Sequence, residues 1–210
     1  INYEKFDIAH GDTLTDPMHW DDQPFEAIVS NPPYSINWDG DANPLMINDQ
    51  RFAPAGVLAP KSKADLAFTL HILHWLAVNG TAAIVEFPGV LYRGGAEQKI
   101  RKYLVDNNYV DAVIQLPPDL FFGTGIQTCI LVLKKSKSDN KVLFINAERD
   151  FKRVGNKNSL TETDRARVLE SYTNRNDEDY FSRLVDHSEI AENNYTLSVS
   201  TYVTAEDTRE

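Results

Sequence analysis

An unbroken β-type run from Thr81 to Phe87 constrains the fold most. Ala82, Ala83, Ile84 and Val85 leave it no polar face, and Pro88-Gly89 closes it. A strand apolar on both faces belongs inside a covered sheet, the usual setting of parallel strands. Similar runs recur at residues 25–30, 110–116, 127–135 and 141–146. Between them lie stretches of helical spacing. Residues 64–78 carry Leu66, Leu70, Leu73 and Leu76-Ala77 on one stripe, and Asn79-Gly80 reads as the cap that ends that helix. A second helix over 96–107 turns Ile100, Tyr103 and Leu104 inward. Strands alternating with helices predict an α/β chain with a mostly parallel sheet. The strands at 110–116 and 127–135 are too close for a crossover and are expected to form an antiparallel hairpin at one edge. Residues 6–14 read as a short strand ending in a turn at Asp12.

The chemistry-bearing stretch is Asn31-Pro32-Pro33-Tyr34, at the carboxyl end of the run at 25–30, which reads as a buried strand. In open α/β sheets that edge is where ligands bind. The prolines fix φ and donate no backbone hydrogen bond, which frees their carbonyls to accept from something else. Asn31, preceding a proline, is pushed to an extended conformation. Amide, free carbonyls and an aromatic face form a ledge suited to gripping a planar amine. Residues 35–63, rich in Asn, Asp, Pro, Gly and Ala, are expected to be a long irregular loop of the kind that serves binding or remains disordered.

Composition limits the partners. The 210 residues suffice for one sizeable core. No stretch approaches the roughly 18 apolar residues of a membrane span. The single cysteine, Cys129, cannot pair internally and reads as a small buried hydrophobe, and no secretory leader opens the sequence, so a cytoplasmic protein is expected. The net charge of −10 runs against a protein that grips DNA unaided, so phosphate contacts would have to come from a local patch or another subunit. Arg93, Lys99, Arg101 and Lys102 form one basic cluster, and Lys134, Lys135 and Lys137 another. His71 and His74 lack a third ligand, and no metal is expected. From about residue 149 the chain turns polar, with a helix expected over 165–172 capped by Thr163. This divides it into a core at 1–148 and a mixed polar extension at 149–210.

The segments FEAIVSNPPYS (25–35), FPGVLYRGGAEQKIRKYL (87–104), VDAVIQLPPDLFFGTGIQTCILVLKK (110–135), KVLFINAERDF (141–151) and NNYTLSVSTYV (193–203) together resemble the modification (M) subunit of type I restriction–modification systems. That resemblance implies a Rossmann-like S-adenosylmethionine-dependent methyltransferase fold and an adenine-specific DNA methyltransferase acting on a flipped-out base. Asn31 and Pro32 would accept from the adenine amine. Tyr34 would stack on one face of the base, and Phe121, or its neighbour Phe122, on the other. Asp12 matches a position near the cofactor's adenine, though an ordinary turn former is an equal reading. The implied partners are DNA, a specificity (S) subunit, a second M subunit and, where present, a restriction (R) subunit, with the 149–210 extension as a docking segment. The family's glycine-rich cofactor loop has no counterpart before Asn31. The chain is therefore expected to be part of a longer one that lacks its first strands here and does not methylate DNA alone. Two other readings of the ledge are open: a methyltransferase acting on a protein glutamine amide, and a non-catalytic scaffold subunit.

Overall fold

The computed structural model describes residues 4–206. Its elements run β1 (Phe25–Ser30), α1 (Asp65–Trp75), β2 (Leu76–Glu86), α2 (Ala96–Asp106), β3 (Val110–Gln115), β4 (Cys129–Lys134), β5 (Lys141–Asn146), β6 (Lys152–Val154), β7 (Lys157–Ser159), α3 (Glu162–Asn174), β8 (Ser182–Asp186), α4 (His187–Glu192) and α5 (Val199–Tyr202). The main sheet has the order β1-β2-β4-β3-β5-β8, and β6 with β7 forms a separate hairpin. β1, β2, β3 and β5 run one way, while β4 and β8 run the other. The chain is thus α/β with most of its strands codirectional. The expected antiparallel pair, β3 with β4, is present, but it lies inside the sheet: β4 inserts between β2 and β3, and the described edges are β1 and β8.

One sheet face is sealed by α1, α2, α4 and α5, through Leu66, Leu70, Ile100, Leu104, Ile190 and Tyr202 packed on Ile84, Leu131, Val113 and Phe144. The other face is covered by Val168 and Tyr172 of α3 over Ala112, Ile114, Val132, Leu143 and Ile145. β8 and α5 come from the polar extension, yet they share the first core, where Tyr202 stacks on Phe144 at 4.3 Å between ring centroids.

Four local expectations are corrected. Residues 5–10 form no strand, although the turn at Asp12 is present. Among the described residues β1 is an edge strand rather than a buried one, and Val29 is 85% exposed. Asn79-Gly80 does not cap α1. The helix stops at Trp75, and residues 76–80 enter β2, where Phe25 pairs Leu76 and Ala27 already pairs Thr81. Pairing with β1 overrides the glycine's local preference, and the irregular register needs the glycine for a different reason. A Cβ on Gly80 would lie 2.9 Å from the Phe25 carbonyl oxygen and 3.0 Å from that of Glu26. Finally, α3 begins at Glu162 and is capped by Thr161 rather than Thr163. Thr161 Oγ1 accepts from the Asp164 amide, and the Asp164 carboxyl accepts from the Thr161 amide in return.

Residues 35–63 carry only short 3₁₀ turns, as an irregular loop should, but they are pinned by buried side chains, Phe52 and Arg51 foremost. Phe52 is fully buried. The buried guanidinium of Arg51 uses all five N–H groups: Nε and Nη2 on the Asp49 carboxyl, Nη2 also on the Leu14 carbonyl, Nη1 on the Thr13 carbonyl and on His71 Nδ1. Because arginine only donates, His71 Nδ1 must accept, so the ring is neutral with its proton on Nε2. Burial first, then the Arg51 charge, lowers the His71 pKa from its ordinary value to about 4.

Two outcomes follow from these contacts. Gly80→Ala should destabilise the protein by about 1–3 kcal/mol, because two backbone carbonyls stand in the way besides the Leu76 side chain, and only the side chain can move aside; chemical denaturation measures it. A histidine whose folded pKa lies below its unfolded value contributes stability above pH 6.5 and loses it as pH falls towards about 4. Stability should therefore drop by about 2–3 kcal/mol across that window at ~1.4 kcal/mol per unit. His71→Asn, which keeps an acceptor for Arg51 and does not titrate, should flatten that part of the profile in denaturation series at several pH values.

Candidate active site

β1 ends at Ser30, and the chain turns out of the sheet at the ledge. Tyr34 Oη donates to Asn31 Oδ1 at 2.6 Å, tying the ends of the four-residue ledge together. A carbonyl oxygen has two lone pairs, so this bond orients the Asn31 amide and leaves one acceptor site open. Asn31 is exposed, Pro32 is buried, and no hydrogen bond to the Pro32 carbonyl is made among the described residues. The ledge thus sets one amide oxygen and one backbone carbonyl at the carboxyl edge of the sheet, beside a half-buried tyrosine ring. Burial, with Glu86 and Cys129 nearby, raises the Tyr34 pKa, which keeps the phenol protonated and able to donate.

The next residue, Ser35, sits at φ +50, where side chains are rarely tolerated. Its amide donates to Asp65 Oδ1 at 2.9 Å, across thirty residues of chain. Asp65 occupies the first turn of α1 and is 1% exposed. The helix start therefore holds the ledge's exit in its unusual conformation. Beneath the ledge, at the end of β2, lies Glu86, fully buried. Burial pushes its pKa up to about 8, so it is a neutral acid at pH 7. Thr69 Oγ1 donates to Glu86 Oε1 at 2.6 Å, while Glu86 Oε2, Asp65 Oδ2 and Thr128 Oγ1 are buried without a hydrogen-bond partner. Cys129, as expected, is buried; its Sγ donates to the Glu86 carbonyl at 3.5 Å, and burial raises its pKa.

Neither Asp65 nor Glu86 stands out by sequence reasoning as a site residue, although each leaves a trace. Glu86 is a lone acid closing an apolar strand, and Asp65 is the acid opening an apolar helix.

The loop between β3 and β4 leaves the sheet at the same edge, because β3 runs parallel to β1. Three strand spacings, ~14 Å in total, separate the two exits. Phe121 is half-buried in this loop and Phe122 is 96% exposed. Asp12 is exposed; its Oδ1 accepts from the Leu14 and Thr15 amides, so the turn-forming role is present, with Oδ2 free of described partners. An apolar groove of about 550 Å³ runs from Thr13, beside Asp12, to Pro32 and Pro33, with walls from Ile28, Phe68 and Trp75.

The basic clusters are largely committed to structure. Arg93 forms a two-pronged pair with Glu97, and Arg101 is spent on the carbonyls of Val90, Arg93 and Tyr195. Lys135 donates to the carbonyls of His74 and Leu76, and Lys137 to those of Val110 and Lys141. His71 packs against Arg51 and Trp75, and His74 on Trp20.

Asp65→Ala should speed hydrogen exchange at the Ser35 amide by about tenfold, the equivalent of one hydrogen bond at ~1.4 kcal/mol, while Asp65→Asn retains the acceptor and the protection. Unchanged exchange in the alanine variant would mean that the helix does not hold the ledge.

Comparison with known proteins places the chain in a family. The N-6 DNA Methylase family matches residues 1–210. The type I restriction enzyme MpnII methylase subunit of Mycoplasma pneumoniae is 47% identical over 219 residues, covering 100% of this chain and 40% of that protein. The MjaVII methylase subunit of Methanocaldococcus jannaschii is 33% identical, covering 97% and 36%. The crystal structure of a type I restriction-modification system methyltransferase subunit from Streptococcus thermophilus superposes with a TM-score of 0.88 at 42% identity, over 91% of this chain and 41% of that one. The chain thus spans about two fifths of the length of these relatives, and its fold is that of a methyltransferase subunit. With the ledge of Asn31 to Tyr34 at the carboxyl edge of such a sheet, the chain belongs to the N-6 DNA methylase family.

Proposed function

We propose that the chain forms the target-base half of an adenine-specific DNA methyltransferase subunit of a type I restriction–modification complex. The observation that carries this reading is the ledge itself: an amide oxygen oriented by Tyr34 and an uncommitted Pro32 carbonyl, side by side at the edge where α/β sheets bind ligands. Adenine's exocyclic amine is a poor nucleophile because its lone pair is delocalised into the ring. Two acceptors that take its N–H bonds favour a localised lone pair and stabilise the positive charge that develops on nitrogen. Holding the amine in line adds the advantage of orientation. The base must leave the duplex to reach such acceptors. Tyr34 then covers one of its faces, and the loop carrying Phe121 and Phe122 closes from the other side.

S-adenosylmethionine, when bound, supplies the electrophilic methyl group. The residues here fit its adenosine end: the apolar groove from Thr13 to Pro32 suits a purine face, and the free oxygen of Asp12 suits an exocyclic amine. The described residues before Asn31 contain no glycine-rich turn for the remainder of the molecule. The partners that fit this reading are duplex DNA, a specificity subunit, a second M subunit and a restriction subunit. We place subunit docking on the exposed surface of the 149–210 extension, such as the outer face of α3, where Leu169 is 64% exposed. Removing residues 181–210 is no test of docking, because Phe181, Val185, Ile190 and Tyr202 belong to the cores.

Asn31→Ala in the full-length protein, assembled with its specificity subunit, should lower methyl transfer to DNA by about 10²–10³-fold, as loss of one oriented polar group in a transition state does. Assembly and DNA binding should persist. Undiminished transfer of labelled methyl groups would sink the catalytic assignment.

A further inference from the structure

A DNA-modifying role leaves a problem of charge. The chain carries a net charge of −10, and most of its basic side chains near the sheet are tied to backbone carbonyls or carboxylates. One surface differs. Residues 151–161 contain Lys152, Arg153 and Lys157 and no acidic residue. They fold as the β6–β7 hairpin, turned at Gly155 with φ +61. The Lys152 side chain is exposed and makes no hydrogen bond or ion pair among the described residues. Arg153 pairs with Asp119 at 3.1 Å, but the two side chains are 50% and 37% exposed. Such a surface pair is weak and readily exchanged for another anion.

A two-stranded ribbon is marginal by itself. This one is fastened to the β3–β4 loop by the buried Asn158. Its amide donates to the Asp119 carbonyl at 3.0 Å, and its Nδ2 donates to the Pro118 carbonyl at 2.8 Å. Lys157 Nζ donates to the Thr124 carbonyl at 3.0 Å. The loop so gripped bears Phe122, the most exposed large apolar side chain described. Hairpin and loop therefore form one unit at the sheet edge that carries the ledge, cationic on one part and aromatic on the other. Cations that contact phosphates position a duplex, and an exposed aromatic ring beside them is placed to meet an unstacked base.

We propose that the β6–β7 hairpin is a duplex-DNA contact, in which Lys152, Arg153 and Lys157 neutralise backbone phosphates beside the target base. The proposal rests on the adenine-methyltransferase reading and adds to it the surface by which an acidic chain meets a polyanion. Its alternative is a hairpin that docks an acidic face of another subunit.

The test uses the full-length protein in complex with its specificity subunit and a mixed-sequence duplex of about 30 base pairs, with binding measured between about 50 and 200 mM salt. Each phosphate contact contributes ~0.9 to the slope of log K against log salt. Lys152→Gln with Lys157→Gln should therefore reduce that slope by about 2 and raise the KM for DNA. Lys152→Gln alone, a change at a side chain that holds nothing in place, should reduce it by about 1. A slope unchanged by either variant overturns the proposal. So does loss of the specificity subunit with the slope intact, which assigns the hairpin to a protein interface. Asn31→Ala assayed alongside separates the two readings. If that variant is inactive while the hairpin variants bind normally, only the hairpin falls. If it is fully active, only the catalytic reading falls, and the salt slope still decides the hairpin.

Discussion

The buried guanidinium of Arg51 is the interaction on which the site end of the molecule depends. A charge that deep is tolerated only when every donor is matched, and the five matches come from three separate parts of the chain: Asp49 beside it, the carbonyls of Thr13 and Leu14, and His71 of α1. Residues 35–63 have almost no regular structure to hold them, and the turn at Asp12 has no strand leading into it. One side chain fixes both against the helix whose first residue grips the exit of the ledge. The order of the candidate site is thus inherited from a network of polar bonds, while the sheet supplies the platform.

The ledge stands on unusual ground. Ionised carboxylates are rare in protein interiors, and here two acids, Asp65 and Glu86, lie buried close behind residues 31–35. Glu86 avoids the cost of a buried charge by keeping its proton. A neutral acid under Tyr34 adds no negative field to the face that receives a developing positive charge, but its dipole, with those of Thr69 and Thr128, can still adjust to it. Unpartnered polar atoms are costly in a low-dielectric interior, and they gather at functional sites more readily than in structural cores.

Much of this was legible in the sequence, and the failures share one cause. β3, β5 and α2 fall within a residue of the expected ranges, because each is a buried or strongly periodic segment whose local preference agrees with its packing. Asn79-Gly80 has the local grammar of a helix end, yet its glycine answers to the carbonyls of Phe25 and Glu26, far upstream in the chain. Residues 6–14 have strand composition but pair with no neighbouring strand among the described residues. The insertion of β4 between β2 and β3 is a choice of partner that spacing alone does not encode. At the site, the ledge was readable because prolines and an amide have few local alternatives. Asp65 and Glu86 were not, because their roles exist only once α1 and β2 are folded against the ledge.

The same prolines have a second effect, on the sheet edge rather than on the chemistry. Among the described residues β1 is paired on one side only, with Val29 in the open, which is where a further extended strand can add to the sheet. Pro24 stands immediately before it and Pro32-Pro33 one residue after it, so that edge is limited to six residues by positions that cannot donate a ladder hydrogen bond. The ring that leaves the Pro32 carbonyl free for an incoming amine also marks where pairing along β1 has to end.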